Sequence, residues 1–244
     1  MVPENTVYGD AEALARGTAA WLLRKAHSVE GPFAISFAGE STPRRMYELL
    51  ASPEFAGNFP WARVHWFWGD ERWVPHDHPR SNCGMVQAAI LQRAPVSAGN
   101  INPMPYDATG TPQTAAKSYE RVLQIFAAQS ARKGRPLFDV MLLGLGEDGH
   151  IASLLPNSPA LAESATWVCA ALGPDGETRI TLTYPALENS QDVAFLVAGA
   201  GKHAALAAVW SGADLPAAAL KPIGTMHWFL DAAAMNPARP TTKA

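Results

Sequence analysis

Apolar and polar residues fall along this chain in blocks of two kinds. Short apolar runs occur at Phe33–Phe37 (FAISF), Val64–Trp68 (VHWFW) and Phe138–Leu143 (FDVMLL), each too short for a typical helix and nearly free of polar side chains. Strands buried on both faces read this way, and they belong to parallel sheets covered by helices. Between these runs lie stretches with apolar positions at helical spacing. Asp10 caps a predicted helix over Ala11–His27 that carries Leu14, Trp21 and Leu22 on one side. Further helices are predicted over 44–50, 81–91, 111–131 and 201–210, and further strands over 167–171, 180–183, 193–198 and 226–230. Strands and helices in this alternation predict an α/β fold, Rossmann-like, with a mostly parallel sheet and helices on both faces.

The 244 residues, 48% hydrophobic and 17% charged, suit one domain spanning 1–244 with a large core, its last residues, 236–244, forming a frayed tail. The Pro- and Gly-bearing segments 95–112 and 173–176 read as loops inside that domain. A formal charge of −3 argues against a nucleic-acid partner, so an anionic ligand has to be held by a local cluster. Cys83 and Cys169 are far apart and lack metal-ligand spacing, which makes them bystander thiols. The N-terminus shows no basic segment followed by an apolar one, and no uncharged apolar run reaches the roughly 18 residues needed to span a bilayer. A cytoplasmic protein with no membrane contact and no obligate protein partner is expected.

The candidate chemistry gathers at strand ends, where ligands of open parallel sheets bind. The Phe138 strand runs into Gly144-Leu145-Gly146-Glu147-Asp148-Gly149-His150, and histidine is the side chain whose ordinary pKa suits proton transfer near neutrality. His150 is therefore a candidate general base, the plainer alternative being a loop or capping role. Asp148 either orients that imidazole or serves the turn alone. The first strand leads into Gly39-Glu40-Ser41-Thr42-Pro43, where Ser41 or Thr42 is a candidate N-cap and the helix start favours an anion or a sugar hydroxyl. The second strand ends in Gly69-Asp70-Glu71-Arg72, in which Arg72 offers a bidentate phosphate contact and the carboxylates hold it or the loop in place. Arg179 and Lys202 add two cations beside a strand start and a helix start, positions that equally suit a plain surface role.

Several other patterns fail on their structural requirements. Gly144 to Gly149 matches the dinucleotide fingerprint literally, but Pro156 leaves no room for the full helix that must follow. Gly39-Glu40-Ser41 begins like a nucleophile elbow and then has Pro43 where glycine is required. His76-Asp77-His78 lacks a second pair of metal ligands, and Gly199-Ala200-Gly201-Lys202 lacks the spacing of a P-loop. No cofactor or metal is implied.

Taken in order, these segments resemble the 6-phosphogluconolactonase family. The resemblance rests on Gly39-Glu40-Ser41-Thr42-Pro43, on Gly69-Asp70-Glu71-Arg72-Trp73-Val74-Pro75 with Ser81-Asn82, on Gly144 through Pro156, on Arg179-Ile180-Thr181-Leu182-Thr183, and on Gly201-Lys202. It spans most of the chain and departs at Glu40 and Leu155. It implies a single-domain enzyme that opens 6-phospho-D-glucono-1,5-lactone without a metal, in the oxidative pentose phosphate route. His150 would be the base and Asp148 its orienting partner. Gly39, Ser41, Thr42, Arg72, Arg179 and Lys202 would bind the sugar phosphate, and Gly144, Gly146, Gly149 and Asp70 would shape the loops. Because a carboxylate at Glu40 repels phosphate, the phosphate is expected nearer Arg72, Arg179 and Lys202. A related reading is a glucosamine-6-phosphate deaminase or isomerase, which typically has tyrosine in place of Arg72 and an additional glutamate after the Asp-Gly-His turn. A sugar-phosphate sensor that keeps the three cations but has no use for His150 is the non-enzymatic alternative.

Overall fold

The computed structural model describes residues 4–39 and 41–235; Glu40, the side chain of Ser41 and the predicted tail 236–244 lie outside the described residues. In chain order the strands are β1 (Glu4–Tyr8), β2 (Phe33–Phe37), β3 (Val64–Trp68), β4 (Asp70–Arg72), β5 (Phe138–Leu143), β6 (Val168–Leu172), β7 (Thr178–Leu182), β8 (Ser190–Val197) and β9 (Thr225–Asp231). The helices are α1 (Ala11–His27), α2 (Ser41–Leu50), α3 (Asn82–Val86), α4 (Pro112–Ala127), α5 (Tyr184–Glu188), α6 (His203–Trp210), α7 (Pro216–Ala219) and α8 (Ala232–Met235).

One parallel sheet has the order β1-β9-β8-β5-β2-β3. Every residue of β2 and β5 is buried, as their apolar runs predict. Successive strand residues point to opposite faces, and the aromatic contacts show which helices cover each. On one face Trp21 of α1 packs on Phe229 at 5.1 Å between ring centres, and Tyr47 of α2 meets Phe37 at 4.8 Å. On the other, Phe126 of α4 lies 5.0 Å from Phe67, and Trp210 of α6 stands edge-on to Trp228 at 6.0 Å. Burying a residue such as Phe67 or Phe138 completely contributes about 1.5–3 kcal/mol, so this double covering is the main source of stability.

The amino ends of the strands are tied by charge. Asp139 of β5, buried in an otherwise apolar run, accepts from the N–H of Ala34 at 2.7 Å and from Arg132 Nη1 at 2.6 Å, with Arg135 on its other oxygen. Helix α4 stops at Ala127 rather than at 131 as predicted, and a short turn over Ser130–Arg132 delivers Arg132 to this pair. Nearby, Asp192 accepts from His227 Nε2 at 2.6 Å and Lys25 Nζ at 2.8 Å.

The largest departure from expectation is a second sheet. β6 and β7, predicted as members of the parallel sheet, instead pair antiparallel with each other and with β4, in the order β4-β7-β6. Asp70, expected in a loop, opens strand β4. The chain passes from one sheet to the other at Gly69, whose N–H donates to Phe37 O at 3.0 Å and whose carbonyl accepts from Leu182 N at 2.9 Å. Edge strand β1 was not predicted, because its residues are mostly exposed and show no apolar run. Helix α2 begins at Ser41 rather than Arg44, which puts Thr42 inside the first turn instead of at the cap.

Candidate functional site

The chain goes from β2 outward to β3 and then returns to the other side of β2 as β5. That reversal is the switch point of the sheet, and a crevice opens there beyond the carboxyl ends of the strands. A cleft of about 480 Å³ occupies it, walled by the loops after β2 and β5, by the small sheet and by the turn before α6. Of the residues predicted for the site, Gly39, Thr42, Asp70, Arg72, Gly144, Gly146, His150, Arg179 and Lys202 all line this one cleft.

His150 is placed by the turn that precedes it. Gly149 adopts φ +83°, a left-handed conformation that side-chain-bearing residues rarely take, and the Gly146 N–H donates to His150 O at 2.9 Å to close the loop. Gly146 is also required for space, since a Cβ there would collide with the His150 ring. Asp148 Oδ1 accepts from the His150 N–H at 3.1 Å and meets ring Nδ1 at 2.6 Å. Burial alone would raise the Asp148 carboxyl, but the bonds from His150 outweigh it and hold the group below the usual carboxylate range. An ionised carboxylate only accepts, so Nδ1 carries the proton of this bond and Nε2 is the ring nitrogen left to face the cleft. Asp148 thus serves both the turn and the imidazole, and the His150 side chain is mostly buried.

The cationic side is built by the small sheet. Arg72 of β4 lies directly opposite Arg179 of β7 in the antiparallel ladder, and both reach the cleft. Like charges placed opposite one another are unfavourable by roughly 0.2–1 kcal/mol unless an anion lies between them. Arg72 Nη1 donates to Arg80 O at 3.0 Å and to Asn82 Oδ1. Buried Arg179 donates to Asp175 at 3.0 Å and lies 3.8 Å from Asp70, while its Nε has no hydrogen-bond partner. Lys202 has no carboxylate within ion-pair distance among the described residues. The acids of the Asp70-Glu71-Arg72 segment do different work. Asp70 accepts from Ser153 Oγ at 2.7 Å and Asn82 Nδ2 at 3.1 Å. Glu71 accepts from the N–H groups of Asn82 and Cys83 and from Ser81 Oγ, which fixes the start of α3; burial pushes its carboxyl up against these donors.

A turn after His150 links the two sheets. Ala152 sits at φ +49°, a conformation that costs a non-glycine residue about 1–3 kcal/mol, and the next residue, Ser153, turns back to Asp70 and to Thr181 Oγ1. Asn82 and Glu147 also line the cleft and were not among the predicted site residues. Asn82 was legible as the partner of Ser81 in the segment after Arg72. Glu147 had no signal beyond its place in the loop. His76 and His78 lie elsewhere, His76 Nε2 on Met104 O and His78 Nδ1 accepting from Arg80 N. No group of three or more His, Cys, Asp or Glu is arranged to hold a metal ion among the described residues. Burial raises Cys83 to about 12 and Cys169 to about 11, so neither is a thiolate near neutral pH. Among the described residues no helix is long and apolar enough to cross a membrane.

A parallel α/β sheet whose switch-point cleft is bordered by His150, Arg72, Arg179 and Lys202 has the architecture of an α/β enzyme. The chain belongs to the glucosamine-6-phosphate isomerase/6-phosphogluconolactonase family, whose pattern it matches over residues 9–228. It is 40% identical to a 6-phosphogluconolactonase of Synechocystis sp., over 89% of this chain and 90% of that protein. It is 43% identical to the same enzyme of Nostoc sp., over 84% of each. Among solved structures, the 6-phosphogluconolactonase of Thermotoga maritima superposes with a TM-score of 0.81 at 27% identity, over 94% of this chain and all of that one.

Proposed function

We propose that the protein hydrolyses 6-phospho-D-glucono-1,5-lactone to 6-phospho-D-gluconate, with His150 as general base. The observation that carries this reading is the single cleft shared by the Asp148-oriented His150 and the Arg72–Arg179 pair. Nε2 takes a proton from a water as it attacks the lactone carbonyl carbon, and the tetrahedral intermediate collapses with opening of the ring ester. General-base assistance of this kind is typically worth about 10²- to 10⁴-fold. Arg72, Arg179 and Lys202 hold the phosphate, which fixes the carbonyl against the water. Thr42 and the Gly39 turn border the sugar. Ser41 is assigned with them by its position at the start of α2, and Gly144 and Gly146 let the loop pass close to the ring.

The test is the decay of freshly generated 6-phosphoglucono-δ-lactone at neutral pH with EDTA, followed for the wild type, for His150→Ala and without protein. Fast decay in the wild type and near-background decay in the variant is expected. Background decay in all three, with ammonia released from glucosamine 6-phosphate by the wild type, would replace this reading with the deaminase one.

A further inference from the structure

Asp70 is a carboxylate set among the cations of the cleft. It lies two residues from Arg72 in β4, so the two side chains leave the same face of the strand, opposite Thr181 and Arg179 of β7. Both residues line the cleft. Asp70 comes within 3.8 Å of Arg179, yet it makes no ion pair with Arg72, its neighbour along the strand, among the described residues. Asn82 bridges them instead. Its Nδ2 donates to Asp70 O at 2.8 Å and to Asp70 Oδ1 at 3.1 Å, and its Oδ1 accepts from Arg72 Nη1. Only this orientation of the amide serves both neighbours, because arginine offers Nδ2 no acceptor and the Asp70 carbonyl offers Oδ1 no proton.

The bridge is held from several sides. Asn82 is buried, its N–H donates to Glu71 Oε1 at 2.8 Å, and an added Cβ on Gly39 would collide with its amide, so the loop after β2 rests directly on that group. An amide oxygen satisfies an arginine N–H without cancelling the charge. Arg72 Nη1 also donates to Arg80 O at 3.0 Å, and the Nε–Nη2 edge of the guanidinium has no acceptor among the described residues. Such an edge can engage a phosphate through two parallel bonds. Resting on the lactonase reading, we infer that Asn82 is a positioning residue that keeps Arg72 apart from Asp70 and so leaves its charge to the substrate phosphate. Without the amide, Asp70 is a competing anion on the same face of β4, and an internal ion pair forms at the expense of the ligand.

The test measures the dissociation constant of inorganic phosphate by calorimetry, together with KM and kcat for the lactone. The proteins compared are the wild type, Asn82→Ala, Asn82→Asp, Asp70→Asn and the double variant Asn82→Ala/Asp70→Asn. Asn82→Ala is expected to weaken phosphate binding and raise KM by about 3- to 10-fold, the worth of one hydrogen bond exchanged between partners, with a smaller change in kcat. Asn82→Asp keeps the size of the side chain but sets a second carboxylate against Arg72, and is expected to weaken phosphate binding at least as much. Asp70→Asn is expected to improve phosphate binding more in the Asn82→Ala background than in the wild type, a recovery that a merely structural role for Asn82 does not produce. Wild-type phosphate binding in Asn82→Asp, or an equal effect of Asp70→Asn in both backgrounds, would overturn the inference while lactone hydrolysis by the wild type stands. Absence of lactone hydrolysis by the wild type would instead remove the functional reading, and with it the role given to Asn82.

Discussion

At the amino ends of β2, β5, β8 and β9, Arg132 and Arg135 are matched to Asp139, and Lys25 and His227 to Asp192. At the carboxyl ends of the same sheet, Arg72 and Lys202 have no carboxylate partner among the described residues, and Arg179 keeps a bare Nε. The amino-end charges hold strands in register, and each cation there meets a carboxylate within the protein, although Arg132 Nε, like Arg179 Nε, has no hydrogen-bond partner. At the carboxyl end Arg72 and Lys202 meet no carboxylate among the described residues, and under the proposed function it is the phosphate of the ligand that pairs with them. An unmet charge in a cleft is thus a better guide to function than a charge as such, because buried charges in both regions look alike in composition.

The comparison predicts different failures at the two ends. The largest effect is expected from His150→Ala, which should lower kcat by about 10²- to 10⁴-fold while the melting temperature stays near that of the wild type. A loss of stability in parallel with activity would place His150 with the structural charges. Next, Asp139→Ala should destabilise the protein by about 3–5 kcal/mol in denaturant unfolding, since it strands Arg132 as a buried unpaired charge. Replacing both partners with apolar residues of similar volume should recover most of that loss. Arg72→Ala should raise KM for the phosphorylated lactone by roughly 10- to 100-fold, more than it lowers kcat, as removal of a hydrogen bond to a charged group implies. An unchanged KM would take Arg72 out of the phosphate site.

The smallest effect concerns acid. Burial raises the Asp192 carboxyl, but its bonds from His227 and Lys25 more than reverse this and hold it below its ordinary value. A depressed carboxyl adds stability above its unfolded pKa, near 4, and that stability is lost as pH falls through the folded value. Melting temperatures of wild type and Asp192→Asn should therefore differ at pH 7 and converge in acid. A gap that persists at low pH would mean that packing rather than charge is what Asp192 contributes.

How much of this was legible in the sequence depends on how locally each feature is determined. β2, β3 and β5 were predicted residue for residue, because burial on both faces leaves an apolar run interrupted by no more than one polar residue each, Ser36, His65 and Asp139. The small sheet was missed for the opposite reason: β4 is only three residues long and charged, and its pairing is decided by partners more than a hundred residues away. A signal for β6 and β7 did exist in Gly173-Pro174-Asp175-Gly176, a turn sequence that joins antiparallel neighbours. The cleft residues carried by glycine turns were found. Glu147 was not, because the sequence of the loop does not mark which of its side chains border the cleft, and only coordinates reveal it.

Gly69 gives the molecule a fixed measure. Under the proposed function the lactone reaches from the imidazole after β5 to the opposed arginines of the small sheet, and main-chain bonds to Phe37 O and from Leu182 N set the seam between the two sheets. The strands that carry the His150 turn and the two arginines are therefore fixed relative to one another by backbone bonds, and only the side chains at either end of the span can adjust. A change of register at that seam would move the two halves of the cleft together, an effect no single side-chain substitution reproduces.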